Sequence, residues 1–333
     1  MELTQKLSES GNFTVIGSSG YIGSKIVNKL TDLGCHVISA SRKDTNSNVV
    51  AEFITADLGS LDFWLEIVQK SDFIIHLAGN TSINAANNNP ALDLDTSVVP
   101  IYRLTEACKI LQKRPRIVFA STVTTYGFTD DLPVSESTIE CPETFYDLHK
   151  LFVERQCVLA SNLNIFDGIT LKLANVYGPS IAYSSAIDRG VLNKITELAL
   201  NGKNLSLYGD GKYMRDYIYI DDVVDAFILA CISSNSVGEV FNIGSGVGTT
   251  VRDAFRAVTQ EVYRKTDKII KIKDIPWPEN SPNIDMRNFV ASIDKANRYL
   301  GWYPKVSLQV GIAATVKSMI LQNSMSPNSG YHK

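Results

Sequence analysis

From residue 13 onward the chain alternates short apolar runs with longer amphipathic stretches. FTVIG (13–17), CHVISAS (35–41), AEFITADL (51–58), DFIIHLAG (72–79), RIVFAST (116–122) and GITLKLANVYG (168–178) are rich in apolar and β-branched residues, which predicts buried strands. Helical spacing lies between them: from the first glycine turn to about Leu33, then about 60–70, 93–113 and 144–161. Strands and helices in this alternation predict a parallel sheet covered on both faces. Beyond Pro179 the spacing loses its regularity. A helix near 187–201 leads to LSLYGDG, then YMRDYIYIDDVVDAFILAC, then FNIGSG ahead of another helix. The last residues, NSMSPNSGYHK (323–333), are polar and predicted to be disordered. There is no internal repeat.

Composition narrows the functional classes. With 333 residues, 44% of them apolar, the chain can bury a sizeable core in two domains. A net charge of -3 without a long basic or acidic run argues against nucleic acid or an anionic membrane as the main partner. Five cysteines (Cys35, Cys108, Cys141, Cys157, Cys231), with no Cys-x-x-Cys, read as buried reduced thiols. The four histidines (His36, His76, His149, His332) make no metal-spaced cluster, so no metal is expected. The polar start MELTQKLSESGN and the lack of any membrane-length apolar run predict a soluble, cytoplasmic chain.

Candidate chemistry begins at Gly17-Ser18-Ser19-Gly20-Tyr21-Ile22-Gly23, between the first strand and the first helix. Glycines there permit a tight turn and let backbone N–H groups meet a pyrophosphate at the helix N-terminus. The spacing is G-x-x-G-x-x-G, not the commoner G-x-G-x-x-G. An acidic residue ending the second strand would bind a ribose 2′-hydroxyl, whereas cations suit a 2′-phosphate. This chain has Ser41-Arg42-Lys43 there, with no carboxylate before Asp44, which favours NADP(H) over NAD(H). The alternative is that Arg42 is a solvated loop cation. Asp57, followed by Leu58, ends the third strand, where a carboxylate could accept from the adenine amino group. Leu77, Ala78 and Gly79 end the fourth, where small residues would let the backbone approach the cofactor.

Tyr146 and Lys150 stand one helical turn apart. An ammonium at i+4 favours the phenolate of a side chain whose ordinary pKa is about 10, making an acid–base catalyst that works near neutrality. In this order, GSSGYIG, Ala56-Asp57-Leu58, HLAG, Ser121-Thr122 ahead of Tyr126-Gly127, YDLHK, NVYGP, RDYIYIDDVVDA and FNIGSG resemble the extended short-chain dehydrogenase/reductase family, in its nucleotide-sugar epimerase/dehydratase/reductase branch. The resemblance covers about residues 13–320. It implies a Rossmann-type doubly wound α/β domain over 1–178 and a smaller mixed α/β substrate domain over 179–322, with part of 212–245 returning to the first.

The same resemblance implies a catalytic set of Thr122, Tyr146 and Lys150. Tyr146 would exchange a proton with the sugar oxygen, Lys150 would bind the nicotinamide ribose, and Thr122 would orient the reacting oxygen. Ser121, Thr124 and Thr125 lie close enough that Thr122 could instead serve the local backbone. Asn175 and Arg215 match positions that contact the substrate diphosphate, although Arg215 could pair structurally with Asp216, Asp221 or Asp222. Arg287 is a weaker diphosphate candidate, lacking the following Gly-Asp, and Tyr208 would lie by the nucleotide base. Val123-Thr124 replaces the Asp-Glu of the dehydratases, so loss of water lacks its acid. Ser97-Val98-Val99-Pro100 stands where Asn-Val-x-Gly is usual, and His149 replaces a small hydroxyl residue before the lysine.

Two enzymatic readings follow. One is a 4-ketoreductase acting on a nucleotide-linked 4-keto sugar with NADPH, which Ser41-Arg42-Lys43 favours. The other is a C4 epimerase with tightly bound NAD. A non-catalytic dinucleotide-binding scaffold is the third reading, but Thr122, Tyr146 and Lys150 are all present. A homodimer through the helices near 93–113 and 144–161 is implied.

Overall fold

Apolar runs bounded by glycine and polar turns assemble into seven parallel strands. They are β1 (Asn12–Ile16), β2 (His36–Ser41), β3 (Glu52–Thr55), β4 (Phe73–His76), β5 (Arg116–Thr122), β6 (Asp167–Leu173) and β10 (Val240–Ile243). The computed structural model describes residues 7, 9–43, 52–181, 190–279 and 283–325. The sheet runs β10-β6-β5-β4-β1-β2-β3. The chain moves outward from β1 to β3, then returns to β4 on the other side of β1. Such a reversal opens a crevice at the carboxyl ends of the two central strands. Ile16 pairs with both Ala40 and His76, so Gly17 leaves β1 at that crevice with Leu77–Gly79 opposite.

Each face of the sheet carries its own apolar layer. One is built with α1 (Tyr21–Asp32) and α8 (Ile220–Ile232), around Ile26, Leu30, Val223 and Phe227. The other is built with α2 (Leu61–Lys70), α5 (Val99–Leu111) and α6 (Phe145–Asn162), around Trp64, Ile67, Leu104 and Val153. The helix starts are set by short polar side chains: Ser60 accepts from Phe63 N, and Thr144 accepts from Asp147 N at 3.2 Å. The latter cap fixes the first turn of α6, which carries Tyr146 and leads to Lys150 one turn on.

The remaining elements form a third core around Leu192, Leu205, Phe255 and Ile312. They include α7 (Val191–Leu200), α9 (Val251–Thr266) and α11 (Leu308–Met325), whereas α10 (Asp294–Leu300) packs through Ala296 and Leu300 into the first apolar layer. Two small sheets join them: β11 (Gly248–Thr250), β9 (Met214–Tyr219) and β7 (Asn175–Tyr177) in one, β12 (Ile272–Ile275) and β8 (Leu205–Tyr208) in the other. Strand β10 lies far along the chain yet pairs in parallel with β6, returning part of 212–245 to the large sheet.

Several boundaries differ from the sequence expectation. The helix expected over 93–113 is two, α4 (Pro90–Ser97) and α5, because Pro100 has no N–H to continue the ladder across the join. A short α3 (Ile83–Asn88), capped by Ser82, was not expected from its asparagine-rich sequence. The run 168–178 divides at Ala174, whose N–H reaches Ile243 while Asn175 turns to pair with Tyr217. Residues 323–325 belong to α11, which Gln322 ties to the Ser180 carbonyl at 2.8 Å, so the disorder expected from 323 does not start there. Residues 326–333, Asp44 and 187–189 lie outside the described residues. Cys141 is exposed in the loop ahead of α6, with its carbonyl against the Gly127 turn, while the other four cysteines are buried. No helix among the described residues is long and apolar enough to cross a membrane.

Candidate active site

The glycine turn is shaped for close approach. Gly17 has φ +87, and a Cβ there would stand 2.9 Å from Ala78 N. A Cβ on Gly23 would lie 2.2 Å from the Gly17 carbonyl. Only glycine therefore lets α1 begin against β1 while the HLAG segment passes beside it. Gly20 N donates to Gly17 O at 3.0 Å, and α1 starts at Tyr21, so its first N–H groups point toward the crevice that Ser19, Gly20 and Ile22 border. The Tyr21 hydroxyl donates to Gly178 O at 2.8 Å and ties this turn to the NVYGP segment. These features fit a dinucleotide pyrophosphate. The residues next to β2 are less committed: the Ser41 hydroxyl donates to Lys43 O at 2.6 Å, and Arg42 is exposed. Asp57 is also exposed, and its Oδ1 accepts from Gly59 N. Leu58 packs against the second apolar layer.

Thr122 ends β5, and Tyr146 and Lys150 stand on the first two turns of α6. Lys150 is buried, donates to Ala120 O at 3.1 Å, and holds its Nζ 5.9 Å from the Tyr146 ring centroid. Burial pushes the ammonium down to about 8, opposed by the negative charges of Asp93 and Glu154. Its Nζ also faces Gly79, where a Cβ would come within 3.8 Å. The Thr122 hydroxyl lies 2.9 Å from Thr124 Oγ1 and accepts from Thr124 N at 3.2 Å. It thus serves the local turn.

Residues that sequence reasoning passed over hold this set in place. Glu154, one turn beyond Lys150, accepts from the Ser121 hydroxyl and pairs with buried Lys172 at 3.1 Å. Lys172 donates to Thr125 Oγ1 at 2.8 Å, and Thr125 in turn donates to the Thr122 carbonyl. His149 is buried with Nδ1 2.6 Å from Asp93, whose other oxygen accepts from Asn80. His76 lies fully buried between Trp64 and Phe119, and neither ring nitrogen has a hydrogen-bond partner among the described residues. A buried cation–carboxylate pair leaves a sequence signal only once both partners are known to point inward.

On the substrate side the two arginines behave differently. Arg215 gives its guanidinium to the carbonyls of Met214, Asp285 and Arg287. The pairing with Asp216, Asp221 or Asp222 is not formed. Asp216 accepts from Ser245, Gly246 and Ala291, Asp221 pairs with Lys25, and Asp222 accepts from the backbone at Lys305 and Val306. Arg287 is buried over the Phe289 ring, and its Nε and Nη1 have no partner among the described residues. Burial, followed by the neighbouring Arg215 charge, pushes Arg287 down to about 10. A buried guanidinium with orphaned donors makes a place for an anion. The orphaned donors put Arg287, not Arg215, first for that anion. Asn175 donates to the Asp216 carbonyl at 3.0 Å, so its side chain braces β7 against β9. Tyr208 stacks on Trp277 at 5.2 Å, with Tyr213 edge-on to the same ring. Trp277, between two prolines, was legible only as an isolated aromatic.

The sequence model of the NAD dependent epimerase/dehydratase family matches residues 13–244. A UDP-glucose 4-epimerase from Mycolicibacterium smegmatis is 31% identical over 321 residues, spanning 91% of this chain and 96% of its own. The structure of a UDP-glucose 4-epimerase from Thermotoga maritima with UDP-glucose is 30% identical, with a TM-score of 0.82 over 93% of this chain and 99% of the other. That of a UDP-glucose 4-epimerase from Thermus thermophilus in complex with NAD is 27% identical, with a TM-score of 0.80 over 93% of this chain and 99% of the other.

Proposed function

Since the chain belongs to the NAD dependent epimerase/dehydratase family, and so is an NAD(P)-type short-chain dehydrogenase/reductase enzyme, we propose that it is a UDP-sugar C4 epimerase holding NAD(H) through turnover. The observation that carries this reading is the Thr122, Tyr146 and Lys150 set beside the glycine-lined crevice, in a chain whose relatives include several UDP-glucose 4-epimerases. The ketoreductase preference rested on Ser41-Arg42-Lys43. It gives way, because the Ser41 hydroxyl is spent on a backbone carbonyl and the Thermus thermophilus relative is a complex with NAD. Dehydration is disfavoured independently, since Val123 and Thr124 supply no acid beside Thr122.

The bound dinucleotide, oxidised at the start, would accept a hydride from the sugar and then return it. Gly17, Gly20 and Gly23 would cradle its pyrophosphate, while Ala78 and Gly79 leave room along the β4 side. The chain's own groups do the proton work. Tyr146 takes the proton of the C4 hydroxyl as the sugar is oxidised and returns it as the sugar is reduced on its other face. Lys150 favours the phenolate, and the Thr122 hydroxyl orients the C4 oxygen. Arg287, assisted by the Arg215 charge, takes the diphosphate, and Tyr208 with Trp277 offers a flat surface to the base. Inverting one centre requires the sugar to turn over. A grip on the diphosphate, remote from C4, allows that rotation without release.

A second copy of the chain fits the exposed apolar residues of α5 and α6, with Tyr102 and Phe152 rings 6.3 Å apart. The test of the whole reading is direct. Purified protein is assayed for retained NAD(H) and for interconversion of a UDP-hexose with its C4 epimer. The expected result is turnover without net cofactor oxidation, with Tyr146→Phe lowering kcat by about 10²–10⁴-fold while NAD binding persists. Stoichiometric NADPH consumption with a 4-keto sugar, and no epimerisation, would overturn it.

A further inference from the structure

Burying Lys150 works against its task. An ammonium moved out of water tends to lose its proton, and only a nearby opposite charge offsets that. Two buried carboxylates approach it. Glu154 already has a partner, because Lys172 sits 3.1 Å from its Oε2. Asp93 has no lysine or arginine in ion-pair contact among the described residues, and its contacts are Asn80 at 2.8 Å and His149 at 2.6 Å. It stands on α4 one turn before Ser97. Gly79 links the two sides: a Cβ there would lie 3.7 Å from Ser97 Oγ and 3.8 Å from Lys150 Nζ. Residues four apart share a helix face, so buried Asp93 lies on the same side of α4 as Ser97, which flanks Gly79 as Lys150 does, and the Asp93 charge acts on Lys150.

We propose that Asp93 is the counter-charge that keeps Lys150 protonated and that His149 is a positioning residue, holding the Asp93 carboxylate through Nδ1. Asn80 completes the hold by donating to the second oxygen, itself fixed by its Oδ1 accepting from Ser82 N at 2.9 Å. The other ionisable groups around Lys150 do not replace Asp93. His76 from β4 is uncharged, pushed down to about 3 by burial and then by Lys150 itself. Tyr146 and Glu154 come from α6, and α3 carries no ionisable side chain. Asp147 faces elsewhere, with one oxygen bonded to Thr144 and its charge acting on Arg287. The importance of Asp93 for turnover rests on the epimerase reading, but its effect on Lys150 does not.

The two can be read separately. Protein labelled at lysine Cε is titrated by ¹³C NMR, with Lys150 assigned by the signal lost in Lys150→Met. Asp93→Asn is expected to move the Lys150 titration to lower pH by about one unit, the lower end of what a close opposite charge supplies. His149→Ala moves it the same way, and His149→Asn, whose amide can stand in for the Nδ1 donor, restores it. In parallel, the alkaline limb of kcat shifts down in Asp93→Asn and His149→Ala while KM for the UDP-sugar holds within about twofold. An unmoved Lys150 signal in folded Asp93→Asn overturns the proposal, and so does His149→Asn failing to restore what His149→Ala loses. If Asp93→Asn does not fold, the His149 pair decides alone. A shifted Lys150 signal in a protein inert toward every UDP-sugar sinks the epimerase reading and leaves the counter-charge standing.

Discussion

At the scale of single residues, the site depends on groups kept in charge states that water would not give them. His76 is the plainest case. It is fully buried between two aromatic rings, with the Lys150 ammonium near enough to disfavour a second positive charge. Its value of about 3 lies below the ordinary histidine value of about 6.5. The folded state therefore refuses a proton that the unfolded chain accepts. Stability is fully present above about pH 6.5 and falls as pH drops toward 3. At pH 5 the loss is about 2 kcal/mol, from about 1.4 kcal/mol per pH unit below 6.5. Urea denaturation at pH 7 and pH 5 measures it. In His76→Phe, whose ring suits the space between Trp64 and Phe119, that part of the pH slope should vanish. An unchanged slope would mean that His76 is protonated in the folded protein.

Among elements, the join of β5, β6 and α6 does for Thr122 what Asp93 does for Lys150. Lys172 on β6 reaches Glu154, Glu140 and Thr125, and its Nζ lies 4.1 Å from the Tyr126 ring centroid. Replacing Lys172 by methionine leaves Glu154 buried without its cation beneath Ser121. The expected cost is about 3–5 kcal/mol in chemical denaturation. Adding Glu154→Leu should recover most of it, since an apolar pair of similar volume avoids the stranded charge. A double variant no more stable than Lys172→Met would show that the network is not an ion pair in energetic terms. This join also shows what the sequence could reveal. Six strands of the large sheet, the glycine turn and the Tyr146–Lys150 spacing were legible from local pattern, whereas β10 fell in the irregular stretch beyond Pro179 and its return to the sheet was implied only by the family resemblance. Lys172, in the apolar run GITLKLANVYG, reads locally as a stray cation. It acquires meaning only from Glu154, which is 18 residues earlier and on another element. Arg215 and Arg287 were both named from sequence, but their order as anion donors was hidden for a related reason. Type and spacing mark an arginine as able to bind phosphate, whereas its existing partners decide whether it is available, and those partners are carbonyls contributed by distant loops.

For the molecule as a whole, two surfaces of α6 have opposite uses. The inner one carries Lys150, Val153, Glu154 and Cys157 into the core. The outer one exposes Leu148, Phe152 and Leu159, and α5 adds Tyr102 and Ile110 beside them. Residues 148, 152 and 159 recur at helical spacing, so they form one stripe. A continuous apolar stripe of this kind marks a contact surface, because exposed it would gather other hydrophobic surface unselectively. Packing the same two helices of a second copy against it gives a four-helix bundle with two-fold symmetry, in which each stripe covers its equivalent. Since the Tyr146 and Lys150 pair projects from the opposite side of α6, the bundle would also stiffen the helix that spaces Tyr146 from Thr122. Phe152→Glu combined with Tyr102→Glu is therefore expected to convert a dimer to a monomer in sedimentation velocity. Its kcat should fall with dissociation while its NAD content is retained, because the glycine crevice lies on the far side of β4. A native chain that sediments as a monomer at micromolar concentration would remove the bundle and, with it, this explanation of how α6 is held.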